Sequence, residues 1–237
     1  MVHGWGTGSY NSNLNCENVG EDVAWSNRRE FVDLLEEKFT LRFFNLPGFC
    51  CVEESKTESF DVEDFSDYFA KWLKDQKVKP SAIVGYSFGG VIALDFKVRY
   101  KSDIPVVLIA PALKRKVTVK SQMGALGKTF VPQKYFDTLK SLYQSLFSRY
   151  YREGTPFLRA SYDKIARRDI RPLLDEVDPQ DILLVYGDSD TSTPAEYISE
   201  VVKKNDLNCI TIAGGDHNIG GTHPELVSSA IIDFLSK

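Results

Sequence analysis

Ser87 is the residue whose neighbours most strongly indicate chemistry. It lies at the centre of Gly-Tyr-Ser-Phe-Gly, residues 85–89, which has the form Gly-x-Ser-x-Gly. The apolar residues Ala82 to Val84 come before it and predict a buried strand, and a helix is predicted from Val91 onward. Strand, sharp turn and helix are the context in which this pattern presents a nucleophilic serine. Without that context, the five residues are equally compatible with a Gly-Ser loop before a buried helix.

Three further stretches complete an ordered set of motifs. They are His-Gly-Trp-Gly at residues 3–6, Tyr-Gly-Asp-Ser-Asp at 186–190 and Ala-Gly-Gly-Asp-His at 213–217. A carboxylate after one late strand and a histidine after the next give the chain order Ser, Asp, His. With Leu-Pro-Gly-Phe at 46–49, the set resembles the α/β-hydrolase superfamily over nearly the whole chain. The resemblance implies an α/β fold with a mostly parallel, doubly wound sheet and an inserted helical cap.

The resemblance also implies roles for individual residues. Ser87 would be the nucleophile, and His217, which follows a strand and a Gly-Gly pair, would be the general base. A serine hydroxyl is a weak nucleophile until a base removes its proton. His223, directly before the last predicted helix, is the alternative base. The backbone N–H groups of Trp5 and Phe88 would form the oxyanion hole.

Side chains next to these residues are candidates for the substrate pocket. The indole of Trp5 and the ring of Tyr86 are expected to line it, although plain core packing also explains Trp5. The third histidine, His3, belongs to the oxyanion loop, where the resemblance implies a structural role.

The acid of the triad has two candidates. Asp190 fits the spacing Gly-x-x-Asp followed by Pro that the resemblance implies, with Gly187 before it and Pro194 after it. Its role would be to hold the histidine tautomer and stabilise the imidazolium. Asp188 is the alternative, and it is more simply explained as an acceptor for backbone N–H groups of the turn. Asp216 is discounted, because neighbours in sequence rarely face each other.

Composition excludes several classes of protein. The chain has 237 residues, 43% of them hydrophobic, and a net charge of −4, which predicts one large domain and argues against nucleic-acid binding. No apolar run approaches the ~20 residues that cross a bilayer, and no signal peptide is recognisable. The four cysteines form neither a metal-site pattern nor a disulfide framework. We therefore expect reduced thiols, a cytoplasmic location, and no metal or cofactor.

The predicted elements leave one open question at the start of the chain. Helices are expected at 25–38, 62–78, from 193 and at 224–235, and strands at 40–44, 82–84, 105–110, 181–186 and 208–213. Only Met1 and Val2 precede the His-Gly-Trp-Gly stretch, where the resemblance implies a central strand after two others. Either the sheet is reduced at this edge, or the given chain begins at a late start codon. A reduced sheet should have about six strands, with 40–44 and 82–84 flanking Val2.

Residues 113–171 differ from the rest of the chain. Strand patterns stop, helical and aromatic-rich segments begin, and 14 Lys and Arg face 4 Asp and Glu, a net charge of +10. This is the predicted helical cap, inserted into a core formed by residues 1–112 and 172–237. The cations are explained either as a solvated surface or as a basic pocket mouth that attracts anionic substrates.

The function implied is a serine hydrolase that cleaves carboxylic esters of small molecules through an acyl-enzyme. Haloalkane and epoxide chemistries of this superfamily use aspartate in place of Ser87 and are therefore excluded. Carbon–carbon bond hydrolysis of a dienoic diketone acid uses the same triad and is an alternative, and the basic cap would suit the carboxylate of that substrate. A receptor-like module that binds without efficient turnover is the alternative from another class.

Overall fold

The computed structural model describes residues 1–76, 79–114 and 149–236. Its centre is a four-stranded parallel sheet in the order β1-β2-β3-β4. The strands are β1 (Ile83–Tyr86), β2 (Val106–Ile109), β3 (Ile182–Gly187) and β4 (Asn208–Ile212). All residues of the first three strands are buried, which explains their continuous apolar sequences.

Val2 extends the sheet beyond β1 by a single residue. It forms parallel bridges with Gly85 of β1 on one side and Phe44 on the other. Val2 N–H donates to Val84 O at 2.8 Å, and Tyr86 N–H donates to Val2 O at 3.0 Å. Val2 therefore lies between the two segments predicted to flank it. The expectation of about six strands is wrong as stated, because one residue cannot support a ladder and the predicted strand 40–44 contributes only the bridge at Phe44.

Helices cover both faces of the sheet. They are α1 (Arg29–Glu36), α2 (Val62–Asp75), α3 (Phe88–Arg99), α4 (Arg149–Glu153), α5 (Pro156–Ile165), α6 (Glu196–Lys204), α7 (Ile219–Thr222) and α8 (Pro224–Leu235). In β2, Val106 and Leu108 join the core that contains residues of α2 and α3, whereas Val107 and Ile109 join the core that contains residues of α1 and α8. Alternate residues of a strand point to opposite faces, so the predicted doubly wound α/β architecture is confirmed.

The ends of two helices differ from the prediction. The helix predicted from residue 25 becomes the 3-10 helix Val23–Arg28 followed by α1. α2 begins at a capping box, in which Asp61 caps the helix and its own N–H donates to Asp64 Oδ2 at 2.8 Å. It ends at Asp75, before residues 77–78, which lie outside the described residues.

The predicted cap is described only in part. Residues 149–171 contain α4, α5 and no strand, while residues 115–148 lie outside the described residues. α5 begins at Thr155, whose hydroxyl accepts the Leu158 N–H at 3.2 Å, and its Phe157 packs against Phe60. The helical character of 149–171 agrees with the prediction, and the assignment of 113–171 as a cap stays a prediction.

Several cations of this region are engaged in ion pairs. Arg168 contacts Asp61 at 3.0 Å and also Glu63, and Arg171 contacts Asp169 at 2.6 Å. These pairs favour the interpretation of a solvated, paired surface for this part of the segment. Six of the 14 cationic positions of 113–171 lie outside the described residues, so the prediction of a basic pocket mouth stays open.

The expectation of reduced thiols is wrong for two of the four cysteines. Cys16 and Cys51 form a disulfide across a sequence separation of 35 residues, with their Cα atoms 5.6 Å apart. An antiparallel bridge between Tyr10 and Phe49 brings the two loops together. Cys50 and Cys209 are free thiols, as expected. The cytoplasmic location inferred from the cysteines stays a prediction.

None of the helices within the described ranges combines the length and the apolar content that crossing a membrane requires.

Candidate active site

Ser87 lies in the turn between β1 and α3. Its backbone has φ 51° and ψ −113°, a region that residues with side chains rarely occupy. Two glycines allow the chain to approach itself closely around this turn. A methyl group on Gly85 would lie 2.4 Å from the carbonyl oxygen of Gly89, and one on Gly89 would lie 2.1 Å from the carbonyl oxygen of Val2. The Ser87 N–H donates to Ile109 O at 2.8 Å, which ties the turn to β2.

Three side chains form a continuous line of hydrogen bonds at the carboxyl ends of the strands. Ser87 Oγ lies 2.9 Å from His217 Nε2, and His217 Nδ1 lies 2.8 Å from Asp190 Oδ2. The Asp190 side chain is fully buried, whereas a third of the His217 side chain is exposed. The residues meet because β1, β3 and β4 are parallel, so the loops that follow them emerge at the same edge of the sheet.

Asp190 is held as an ionised acceptor. Oδ1 accepts the N–H groups of Ser192 at 2.7 Å and Thr193 at 2.9 Å, and Oδ2 accepts the Thr193 hydroxyl at 2.6 Å. Burial alone would raise the pKa of Asp190, but the hydrogen bonds from His217 and Thr193 outweigh it and lower the pKa to about 2. An ionised carboxylate can only accept, so His217 Nδ1 carries the shared proton and Nε2 is left to accept from Ser87.

Tyr86 positions the backbone of His217. Its hydroxyl donates to His217 O at 2.9 Å and accepts the N–H of Gly220 at 3.2 Å. The ring is buried, and its edge faces the imidazole with 6.4 Å between centroids. Tyr86 also contributes to the pocket surface, so the residue that precedes Ser87 contacts His217 as well as the pocket.

The loop at residues 3–6 lies against Ser87. A methyl group on Gly4 would lie 2.9 Å from Ser87 Cβ. His3 is buried with Nδ1 2.8 Å from Gly4 O, and its Nε2 accepts the Leu46 N–H at 3.2 Å. Burial lowers the pKa of His3 to about 4, so its ring is neutral, with the proton on Nδ1. His3 therefore links the loop of residues 3–6 to Leu46, and these contacts agree with the structural role that was expected.

Two backbone N–H groups near Ser87 are available to a ligand. Those of Trp5 and Phe88 form no hydrogen bond with another group of the described residues. The Phe88 N–H belongs to the first turn of α3, where helix N–H groups lack intrahelical acceptors. The Trp5 indole donates to the Tyr10 hydroxyl at 2.7 Å, and its ring packs edge-on against Phe49. Trp5 therefore contributes to the core and also lines the pocket.

Ser87 and His217 open into a cavity of about 700 Å³. Residues 6–28, which we call the pocket wall, provide half of its lining: Gly6, Gly8, Ser9, Leu14, Val23, Ala24, Ser26, Asn27 and Arg28. A second cavity of about 570 Å³, near the amino ends of the strands, contains none of the predicted site residues. Within the described residues, no group of three or more His, Cys, Asp or Glu side chains is arranged to hold a metal ion.

The alternative candidates have other partners. Asp188 accepts the Gly214 N–H at 2.8 Å, which is the turn role considered for it. Asp216 accepts the Asn218 N–H at 2.8 Å. His223 lies 2.9 Å from the Thr222 hydroxyl. The structure brings none of the three into the hydrogen-bonded line that contains Ser87.

Thr193 is a site residue that the sequence analysis missed. The pair Thr193-Pro194 was interpreted only as a helix start, whereas α6 begins at Glu196. The Thr193 hydroxyl lies 2.6 Å from Asp190 Oδ2 and 3.3 Å from His217 Nδ1. A hydroxyl three residues after an aspartate was the available signal, because such spacings allow local side-chain hydrogen bonds.

Comparison with known proteins identifies the family and the fold of the chain. The chain is 26% identical to a pimeloyl-[acyl-carrier protein] methyl ester esterase of Neisseria meningitidis, over 99% of this chain and 92% of that protein. The fold resembles an esterase from Exiguobacterium antarcticum (TM-score 0.64, 16% identity, 100% and 91% of the two chains). It also resembles a bromoperoxidase from Bacillus anthracis (TM-score 0.65, 18% identity, 100% and 90%). The pattern of the alpha/beta hydrolase family matches residues 1–230, and the chain belongs to that family.

Proposed function

We propose that this chain is a serine hydrolase that cleaves carboxylic esters through an acyl-enzyme. The observation that carries the proposal is the line of hydrogen bonds from Ser87 through His217 to Asp190, which begins in a strained turn and ends at a buried carboxylate. A nucleophile, a base within hydrogen-bond distance and a group that orients the base are the parts that acyl transfer requires.

The reaction proceeds in two balanced steps. Ser87 Oγ attacks the ester carbonyl while His217 Nε2 takes the hydroxyl proton, and the imidazolium then donates that proton to the leaving alcohol. Water attacks the resulting acyl-enzyme, with His217 as base again, and releases the carboxylic acid and free Ser87. Asp190 stays ionised throughout and stabilises the imidazolium, consistent with its lowered pKa.

The N–H groups of Trp5 and Phe88 are the proposed oxyanion donors. Both are without an acceptor in the described residues, and both belong to segments that adjoin Ser87. The amino end of the 12-residue helix α3 adds a favourable dipole at the same point. Donors aimed at a developing oxyanion typically contribute ~3–4 kcal/mol each to lowering the barrier.

The names of similar proteins support ester cleavage. The Neisseria meningitidis relative acts, by its name, on a methyl ester of an acyl group. At 26% identity, this supports the class of bond cleaved more than the particular acyl group or its carrier. The cavity suits a small ester, because apolar side chains such as Leu14, Val23 and Tyr150 line it beside Ser87.

A fluorophosphonate probe tests the nucleophile directly. We expect wild-type protein to be labelled on Ser87 and to release nitrophenol from 4-nitrophenyl esters. Ser87→Ala should abolish the labelling and reduce kcat/KM by about 10⁴-fold or more. Labelling that persists in Ser87→Ala would refute the assignment. A labelled protein that hydrolyses none of a short-to-long series of esters would favour the carbon–carbon bond or receptor-like alternative.

A further inference from the structure

Arg28 introduces a positive charge into the cavity that contains Ser87, and no ion pair with another described residue neutralises it. It ends the 3-10 helix Val23–Arg28 and lines the cavity together with Ser26 and Asn27. Among the described residues that line the cavity, Arg28 and His217 are the two with a basic side chain, and none has a carboxylate. Asp190 lies behind His217 and is fully buried.

The guanidinium of Arg28 is only partly satisfied by the protein. Its Nη1 donates to Asn27 Oδ1 at 3.0 Å, while Nε is buried and has no hydrogen-bond partner among the described residues. Its neighbour Arg29 differs, with ion pairs to Asp22, Asp33 and Glu36, each at 2.6 Å. Within the described residues, Arg28 forms no such ion pair. A buried guanidinium nitrogen without an acceptor is costly unless a ligand supplies one.

The face of Tyr86 holds this guanidinium in place. Arg28 Cζ lies 4.1 Å from the centroid of the Tyr86 ring, within the range of a cation–π contact. The Tyr86 centroid lies 6.4 Å from that of His217, so the distance from Arg28 Cζ to the imidazole centroid cannot exceed the sum of these two distances. Within this limit, one small molecule with its ester at Ser87 can reach Arg28 with its other end.

Asp216 is the acidic group that also acts on this cluster. Burial raises the pKa of Tyr86; Arg28 opposes that rise and Asp216 adds to it. The Asp216 carboxylate already accepts the Asn218 N–H at 2.8 Å. Within the described residues, Asp216 forms no ion pair with Arg28.

We propose that Arg28 recognises the substrate, and that the cavity takes esters that carry a second, anionic oxygen group remote from the ester bond. A carboxylate or a phosphate has this chemistry, because both accept paired hydrogen bonds from a guanidinium. The inference rests on the proposed ester hydrolysis and names its substrate class. It depends on Arg28 and is independent of the charge of residues 113–171.

The test compares three 4-nitrophenyl esters of equal length, one ending in a carboxylate, one in a phosphate and one in a methyl group. For wild type, we expect kcat/KM to be higher for at least one anionic ester than for the neutral one. Arg28→Gln should lower the anionic-to-neutral ratio by about tenfold or more. Arg28→Lys, which keeps the charge and loses the fork, should give an intermediate ratio. The preferred anionic ester identifies which of the two anions is recognised.

Arg29→Gln is the matched control, since it removes the same charge from the neighbouring residue, which does not line the cavity. It should keep the wild-type ratio. An unchanged ratio in Arg28→Gln, or a wild-type enzyme without preference for either anionic ester, would overturn the proposal. If Arg28→Gln does not fold, the test rests on Arg28→Lys. An anionic-to-neutral ratio of kcat/KM in Arg28→Lys equal to that of wild type would then refute the proposal.

Calorimetry separates this inference from the proposed function. Ser87→Ala protein should bind the preferred anionic ester more tightly than the neutral ester, and adding Arg28→Gln should remove the difference. Binding of this kind without hydrolysis by wild type would refute the esterase proposal and leave the anion subsite supported. Hydrolysis of the anionic and neutral esters with equal kinetics and equal binding would support the esterase proposal and refute the anion subsite.

Discussion

The floor of the cavity and the pocket wall are held in different ways. Ser87, Asp190 and His217, which form the floor, follow parallel strands, and Asp190 alone accepts four hydrogen bonds. The wall, residues 6–28, contains four 3-10 helices and neither an α-helix nor a strand of the sheet. It is fastened to the neighbouring loop by the Cys16–Cys51 disulfide, by the bridge between Tyr10 and Phe49, and by hydrogen bonds of Asn11 with residues 48–52.

This difference suggests a division of work between the two regions. Groups that transfer protons need fixed distances, and the sheet supplies them through many cooperating contacts. Groups that select a substrate can lie on an irregular segment outside the sheet, because loops tolerate change without loss of the fold. Changes to the floor should therefore alter kcat, whereas changes to the wall should alter KM, substrate preference or local stability.

The largest effect is expected from Asp190→Asn. The N–H groups of Ser192 and Thr193 keep the amide oxygen on their side, so the amide NH2 faces His217 and donates to Nδ1. His217 then carries its proton on Nε2 and cannot accept from Ser87. We expect kcat to fall by about 10⁴-fold with little change in KM, measured by steady-state kinetics on a 4-nitrophenyl ester. Asp188→Asn is the control and should have a small effect. A larger loss in Asp188→Asn than in Asp190→Asn would show that the floor is assigned to the wrong aspartate.

Cys16→Ser tests the attachment of the wall. Loss of a cross-link over 35 residues should lower the free energy of unfolding by about 3–4 kcal/mol, measured by urea denaturation. KM should rise severalfold more than kcat falls, because the cavity lining loosens while the floor stays in place. Cys209→Ser removes an exposed free thiol and serves as the control. Equal stability of Cys16→Ser and wild type would contradict the idea that the disulfide holds the wall.

A smaller effect is expected from Thr193→Val, which removes one hydrogen bond to Asp190. The folded pKa of about 2 is below the unfolded value of about 3.9, so Asp190 contributes stability above about pH 4 that is lost as the pH falls through about 2. Without the hydroxyl, the folded pKa rises and about 1 kcal/mol of stability is lost at neutral pH. Urea unfolding should show the variant's deficit near pH 7 and a reduced deficit near pH 2.

Thr193→Ser keeps the hydroxyl and is the matched control for that experiment. It should retain most of the stability at neutral pH. A deficit in Thr193→Val that is the same at both pH values would show that packing of the methyl groups, and not the charge of Asp190, is responsible.

The sequence was sufficient to predict the parts of the molecule that depend on local patterns. The apolar run before Ser87 and the glycines around it predict strand, turn and helix from neighbouring residues alone. The order of Ser87, Asp190 and His217 along the chain also predicts which loops meet, because parallel strands share one edge. Their catalytic roles stay predictions that the experiments above test.

Features that depend on distant residues were not predictable in the same way. Cys16 and Cys51 have no local pattern that pairs them, and their contact depends on the path of two irregular loops. The position of Val2 between residues 40–44 and β1 was predicted, but the reduction of both pairings to single bridges was not, because it depends on how one residue enters the sheet. The direction of the Arg28 side chain follows from a 3-10 turn where a regular helix was expected.

The backbone conformation of Ser87 lowers the folding stability of the chain while it presents the side chain. At φ 51° and ψ −113°, a residue with a side chain is held in a conformation that costs about 1–3 kcal/mol, and glycine avoids most of that cost. Selection for thermal resistance alone would therefore favour glycine at this position. The chain would then be more stable without the hydroxyl of its proposed nucleophile, and retention of the serine lowers the stability of the fold.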